Sequence, residues 1–391
     1  MTRVIRPTPL SALARHTCAA RLGVALASIG CLAAPLALAA PATAAPASTA
    51  PTRAQAGAAH ATGTQGTETD RATTDRNTTD DLAVGDAAYV DVAVATLWSK
   101  PGLARSIDAP SLSNPVDLRT WNLNLQHTAD REWLSAGSKL ETQALLGARV
   151  DVTARDGEWA KVVVHGQPTP RDARGYPGWV PARQLVENPD FGRRLEQRRR
   201  AVVTDRTTWL SKDAAGRNPS TEISMNTSLP VLGSRPGRVR VALPDGGRAW
   251  VDAHDVTIRR PGELPPAPSG QDIVDTGSRF LGLRYLWAGA SAFGFDCSGF
   301  TQTVFAAHGI TIPRDSGPQS RSGVAVERAN LRPGDLVFFA GPGGVGSVHH
   351  VAIYVGGGKI LHSPNSARNV EIVDLDHFDV TKEYSGARRY L

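Results

Sequence analysis

GFDCSGF, residues 294–300, sets one cysteine between an aspartate and a serine, with a glycine just beyond and an apolar run after it. The chain has 391 residues and three cysteines, and the other two fall within its first 31 residues. In the continuation CSGFTQTVFAAHGI, Phe300, Val304, Phe305 and Ala307 fall on or near one face of a helix, and Gly309 supplies a stop. Cys297 would then open that helix. A thiol there meets the positive end of the helix dipole and N–H groups without intrahelical partners, and both favour the nucleophilic thiolate. The same N–H groups can hold an oxyanion when an acyl group is attacked. The bland alternative is a buried structural cysteine.

Working outward, QDIVDTGSRFLGL reads as a helix ahead of the cysteine, and GDLVFFA, HHVAIYVG, KILHSP, VEIVDL and GARRYL read as strands behind it. Helices first and an antiparallel sheet after predict an α+β domain over residues 271–391. A nucleophilic cysteine needs a base, and the base needs an orienter. The sequence offers His349, His350 and His362. Adjacent strand residues point to opposite faces, so one of His349 and His350 can face Cys297. Folding the two strands back at the GGG of 356–358 pairs residue i with about 714 − i. His362 then falls opposite Ala352, on the face of His350, and His349 points away, provided the hairpin carries no bulge. Parity therefore selects His350 with His362. Three histidines could also bind zinc, but their spacing is not a zinc pattern and no second cysteine stands near, so no metal or cofactor is expected. The glycine-rich GPGGVG at 341–346 lacks the lysine and following helix of a phosphate cradle.

Upstream, PGELPPAPSG makes a proline-stiffened linker over 260–270. Before it lie two stretches that resemble each other weakly. LETQALLGARVDVTARDGEWAKVVV with GYPGWVPARQL is one, and TSLPVLGSRPGRVRVALPDGGRAWVDAHDV is the other. Short alternating strands broken by Asp-Gly turns predict two small all-β barrels, over 83–190 and 198–259. Residues 101–135 interrupt the first as a long insertion rich in turn residues, of a length usual for binding loops. The RRLEQRRR run at 193–200 reads as a solvated linker helix between them.

Residues 1–44 carry four arginines, no acid and the apolar stretch LGVALASIGCLAAPLALAA, followed by small residues, as a secretory signal peptide does. Removing those arginines takes the formal charge from +6 to +2, so basicity gives no argument for nucleic acid. Processing would leave no membrane span, and Ser28 stands where a lipoprotein signal has leucine. Residues 45–82 hold no Leu, Ile, Val or aromatic residue before Leu82 and read as a disordered tether. The mature chain would be secreted or wall-associated, monomeric, and would keep Cys297 as its one thiol.

The motifs YLWAG, FDCSGF, PRDS, LRPGDLVFF and HHVAIYVGGGKILHSP resemble those of the NlpC-type papain-like cysteine peptidases that cleave cell-wall peptides. The likeness covers about 271–391 and implies Cys297 as nucleophile, His350 as base and His362 as its partner. His349 stands where that family often has serine. VAVATLWSKP, NPVDLRTW, LETQALLG and RGYPGWVP are similar to the N-terminal domains of γ-D-glutamyl-L-diamino acid endopeptidases with two bacterial SH3-like domains. That resemblance implies an amine pocket for a free N-terminal L-Ala at Glu141 and Tyr176. It also implies substrate contacts at Tyr285, Trp287, Asp296, Ser298, Asp315 and Ser316, with Asp296 also a helix N-cap. Peptidoglycan stem peptides are then the expected partners. A wall-binding protein with a silent peptidase domain, or a related amidase or acyltransferase, are the other readings.

Overall fold

The computed structural model describes residues 82–391; the signal-peptide segment and nearly all of the tether lie outside the described residues. Alternation of apolar and polar residues builds the N-terminal part. In Trp159–His165, Ala160, Val162 and Val164 enter one core with Val90, Leu97, Val150, Val152 and Val180. The Asp-Gly turn lets Asp156 pair with Trp159, with Gly157 at φ 51°. The first sheet has seven strands, Ala87–Val90, Val94–Trp98, Leu140–Leu145, Arg149–Asp156, Trp159–His165, Gly175–Pro181 and Leu185–Val186 (β1–β7). Their order in space is β3-β2-β6-β5-β4-β1-β7.

A helix α3, Pro189–Gln197, capped by the Asn188 side chain, leads into the second sheet. Its strands are Arg200–Val203, Thr207–Ser211, Pro219–Ser224, Ser228–Arg235, Arg238–Ala242, Arg248–Asp252 and Val256–Arg259 (β8–β14), and they run β10-β9-β13-β12-β11-β8-β14. That is the order of the first sheet with every number raised by seven.

The insertion differs from expectation. It is helical and packed rather than an extended loop: a 3-10 turn at Ser106–Ser111, then α1 at Leu118–Asn124 and α2 at Thr128–Ser135. Asp117 caps α1 by accepting from the Thr120 N–H at 2.9 Å. Leu118, Trp121, Leu125 and Leu134 are buried with Leu140 of the first sheet and with Leu286, Ala288 and Phe293 of the C-terminal domain. Arg131 is buried too and donates to the Ser366 carbonyl at 2.7 Å. The signal was present, because Leu118, Trp121 and Leu125 recur at helical spacing, but abundant turn residues masked it.

After the proline linker, α4 (Gly270–Ser278) starts at a Ser269–Asp272 capping box. Two short strands, Ala290–Ser291 and Gly294–Phe295 (β15, β16), precede α5, Cys297–Ala307, and a short α6 follows at Ser316–Ser320. Six strands, Val324–Val326, Leu336–Gly341, Val345–Gly356, Lys359–His362, Glu371–Asp374 and Tyr384–Arg389 (β17–β22), form an antiparallel sheet in the order β17-β22-β18-β19-β20-β21. In β18, Leu336 and Phe338 join Phe300, Val304 and Ile353 in one core, while Val337 and Phe339 join Ala352 and Ile360 in another. Both faces are covered, which is why LVFF reads as a continuous apolar run.

Candidate active site

α5 begins at Cys297 because Asp296 caps it, its Oδ1 accepting from the Gly299 N–H at 2.6 Å. Residue 299 must be glycine, since a Cβ there would lie 2.0 Å from the Gly289 carbonyl oxygen. The cap and this close approach hold the helix start, and the thiol, against the 286–289 turn.

The surroundings of Cys297 oppose the pull of the helix start toward thiolate. Cys297 is buried, and burial pushes its thiol up to about 12, with the Asp296 carboxylate adding to the effect. The N–H groups of Val351 and Ser298 pull the other way and do not prevail. Burial also holds the His350 ring well below its usual range, with His362 and His349 contributing, and holds His362 down at about 3. Both shifts work against the charged forms of the two groups.

The hairpin meets the sequence expectation. Ile353 pairs with Leu361 and Tyr354 with Ile360, the register of 714, and the one shift lies beside the turn. His350 Nε2 is 2.8 Å from His362 Nδ1. His362 Nε2 in turn lies 3.4 Å from Glu371 Oε1, across the β20–β21 pairing, and Arg368 holds the same oxygen at 2.7 Å. The two imidazoles share one hydrogen bond, whose direction depends on the tautomer. That bond occupies His350 Nε2 and leaves Nδ1 outside it.

His349 does not turn away from the cleft, contrary to expectation. It lines the same cleft as Cys297, half-exposed, with Nε2 2.8 Å from the Ala340 carbonyl. Val351 and Ile353, which share its parity, pack in the core that holds Cys297, whereas Ala352, which shares the parity of His350, packs with Phe339 on the other face; the irregularity between Val345 and His350 lies in β19 itself.

The cleft has a volume of about 420 Å³. Glu141, Tyr176, Tyr285, Trp287, Asp296, Ser298, Asp315 and Ser316 all line it together with Cys297, whereas His350 and His362 are buried outside its lining. The first sheet supplies Glu141 and Tyr176. Tyr176 donates its hydroxyl to Asp315 Oδ1 at 3.1 Å, and Trp287 donates to the Leu140 carbonyl at 3.2 Å. The Arg314 N–H reaches the Pro168 carbonyl at 2.9 Å. These bonds close one end of the cleft with a wall from another domain.

Two arginines in this region escaped sequence reasoning. Arg314, buried, donates from Nη2 to Asp296 Oδ2 at 2.7 Å, from Nη1 to Ser298 Oγ at 3.1 Å and from Nε to Thr142 Oγ1 at 2.8 Å. Burial works against its charge, and Asp296 more than restores it. Asp296, which lines the cleft, thus also accepts from Arg314 and from the helix cap N–H. Arg171, on the loop between β5 and β6, pairs with Glu141 at 2.5 Å. Nothing local in the sequence ties 314 to 296 or 171 to 141. Among the described residues no group of three or more His, Cys, Asp or Glu is arranged to hold a metal ion, and no helix is long and apolar enough to cross a membrane.

The NlpC/P60 family profile matches residues 282–389, and that of the YKFC SH3b2 domain matches residues 203–258. The chain is 50% identical over 304 residues, 78% of its length and 90% of the relative's, to a gamma-D-glutamyl-L-lysine dipeptidyl-peptidase of Bacillus cereus. It belongs to the NlpC/P60 family of cysteine peptidases. A Bacillus subtilis protein of the same name is 37% identical over 76% of this chain and 96% of its own length. The crystal structure of an NlpC/P60 family protein from Bacillus cereus aligns with a TM-score of 0.74 and 49% identity, covering 78% of this chain and all of that one. The second sheet is accordingly an SH3b domain, and the C-terminal α+β unit is the NlpC/P60 catalytic domain.

Proposed function

We propose that the protein hydrolyses the γ-D-glutamyl bond to the following diamino acid in peptidoglycan stem peptides, releasing an N-terminal dipeptide from substrates with a free L-Ala amine. The observation that carries this reading is the composition of the cleft: Cys297 shares about 420 Å³ with Glu141 and Tyr176, which come from a different domain and wall off one end. The identical strand order supports reading the first sheet as a second SH3-like domain, given over to this wall. The dipeptidyl-peptidase name of the relatives agrees with such a closed end.

In this mechanism the Cys297 thiol attacks the γ-carbonyl carbon of D-glutamate while its proton passes to His350 Nδ1. Burial disfavours both charged forms, so proton transfer accompanies attack rather than preceding it. The first N–H groups of a helix lack intrahelical acceptors. That of Gly299 is taken by Asp296, and that of Cys297 remains for the oxyanion. His350 then protonates the leaving amine as the C–N bond breaks. Water attacks the thioester, giving the dipeptide acid and the free thiol. His362, steadied by Glu371, keeps the His350 ring oriented. A carboxylate facing the ammonium at the closed end selects against acylated or longer substrates. The signal-like N-terminal segment supports action outside the cytoplasm.

The test is hydrolysis of L-Ala-γ-D-Glu-L-Lys and its N-acetylated form, by the wild type, Cys297→Ala and Glu141→Gln. Cleavage of the free-amine peptide alone is expected, abolished in Cys297→Ala and weakened about 10- to 100-fold in Glu141→Gln. Equal cleavage of both peptides would remove the amine pocket from the reading.

A further inference from the structure

We propose that Arg171 reads the free α-carboxylate of the substrate's D-glutamate, so that the enzyme separates this residue from its α-amide. The inference rests on the γ-D-glutamyl reading above. A γ-linked glutamate uses its side-chain carboxyl in the peptide bond to the next residue and leaves its α-carboxylate free. A substrate with a free amino terminus therefore brings two opposite charges into the cleft. The ammonium sits on the first residue and the carboxylate on the second, about 3.8 Å apart from Cα to Cα.

The cleft already holds the complement of that pair. Arg171 sets Nη1 2.5 Å and Nη2 3.2 Å from the two oxygens of Glu141, and its Cζ stands 5.1 Å from the centre of the Tyr176 ring. Its side chain is 44% exposed against 15% for Glu141, so the guanidinium has room to turn while the carboxylate is held. Glu141 alone would attract an ammonium; Glu141 neutralised by Arg171 does not. A ligand bearing only an ammonium would have to displace the guanidinium and leave it without a partner. A ligand bearing both charges lets each exchange partners: the ammonium takes Glu141, the guanidinium takes the carboxylate, and no charge is stranded in a partly desolvated site.

Among the described residues lining or adjoining the cleft, no other cation can do this. Arg314 is 1% exposed, and its donors are committed to Asp296, Ser298 and Thr142. His349 is engaged with the Ala340 carbonyl. The remaining acid of the closed end, Asp315, takes the Tyr176 hydroxyl. The planar fork of arginine matches a carboxylate with two parallel bonds, which a carboxamide cannot equal because one of its two polar groups is itself a donor.

The experiment measures kcat/KM for L-Ala-γ-D-Glu-L-Lys and for the same peptide carrying the glutamate α-carboxamide, with wild type, Arg171→Gln and Arg171→Lys. Wild type should favour the acid by about 10- to 100-fold. Arg171→Gln should bring the ratio close to one by losing the acid peptide, mainly through KM, and Arg171→Lys should restore part of the preference. A loop weakened for structural reasons would lower both peptides together and keep the ratio. That result, or equal cleavage of both peptides by the wild type, overturns the role of Arg171. Cleavage of neither peptide by the wild type overturns the γ-D-glutamyl reading itself, and this inference with it.

Discussion

The two N-terminal sheets have the same strand order and meet the catalytic domain in different ways. In the first, the connection from β2 to β3 is the helical insertion, and the connection from β5 to β6 carries Arg171; both reach the catalytic domain or the cleft. In the second, β9 to β10 is a short turn, and the cleft receives no residue from it. Its contact is instead a plug. Met225, at the β10–β11 turn, is buried in the catalytic core, and Asn226 donates to the Thr303 carbonyl at 2.9 Å. The corresponding turn of the first sheet puts Leu146 into the core of the second domain. A common frame thus serves as cleft wall in one copy and as buttress in the other, and loops rather than topology make the difference.

That contrast can be broken most forcefully at Trp121. Trp121→Ala should cost about 3–5 kcal/mol in urea unfolding, and it should lower activity as well, because the insertion ties the wall carrying Glu141 to the catalytic domain. An active variant of near-normal stability would show that the insertion is not the tie. Met225→Ala should cost about 2–4 kcal/mol yet leave kcat/KM of the folded enzyme within error, as a buttress requires. A loss of activity at full folding would put the second domain into the catalytic cycle.

Glu371 lies in neither sheet and sharpens the comparison from the catalytic side. Glu371→Gln weakens the restraint on His362 by about 1–2 kcal/mol, so kcat should fall about 10-fold with KM unchanged, for free-amine peptides of either glutamate form. A change in KM alone would contradict its placement behind the histidines. The smallest effect is in the pH profile. His350 must be neutral to take the thiol proton, and burial sets its titration well below the usual 6.5. The acid limb of kcat/KM should therefore lie under pH 6, and no rise should occur between pH 6 and 9, because the Cys297 thiol does not ionise there. A limb centred near 8 would mean that the thiolate, not the neutral pair, is the reactive state.

Much of the catalytic domain was legible in the chain. The CSGF helix, the strand run after it and the 714 register of the β19–β20 hairpin follow from periodicity and turn chemistry, which act over a few residues. The insertion's helices were legible too, in Leu118, Trp121 and Leu125, but turn-forming neighbours outweighed that spacing in the reading. His349 shows that parity separates the two histidines but cannot say which face meets the cysteine: Val351 and Ile353, of its own parity, pack in the core with Cys297.

By itself, the sequence determined which residues could carry the chemistry, namely one cysteine at a helix start and two histidines brought to one face by a hairpin. Only the tertiary structure decided their electrical state and their partners. The helix start favours thiolate, but burial and Asp296 outweigh it at Cys297. Arg314 neutralises Asp296 from 18 residues away and Arg171 meets Glu141 from 30. Desolvation and Coulomb interaction depend on distance in space, and separation along the chain says nothing about that distance until the domains have packed.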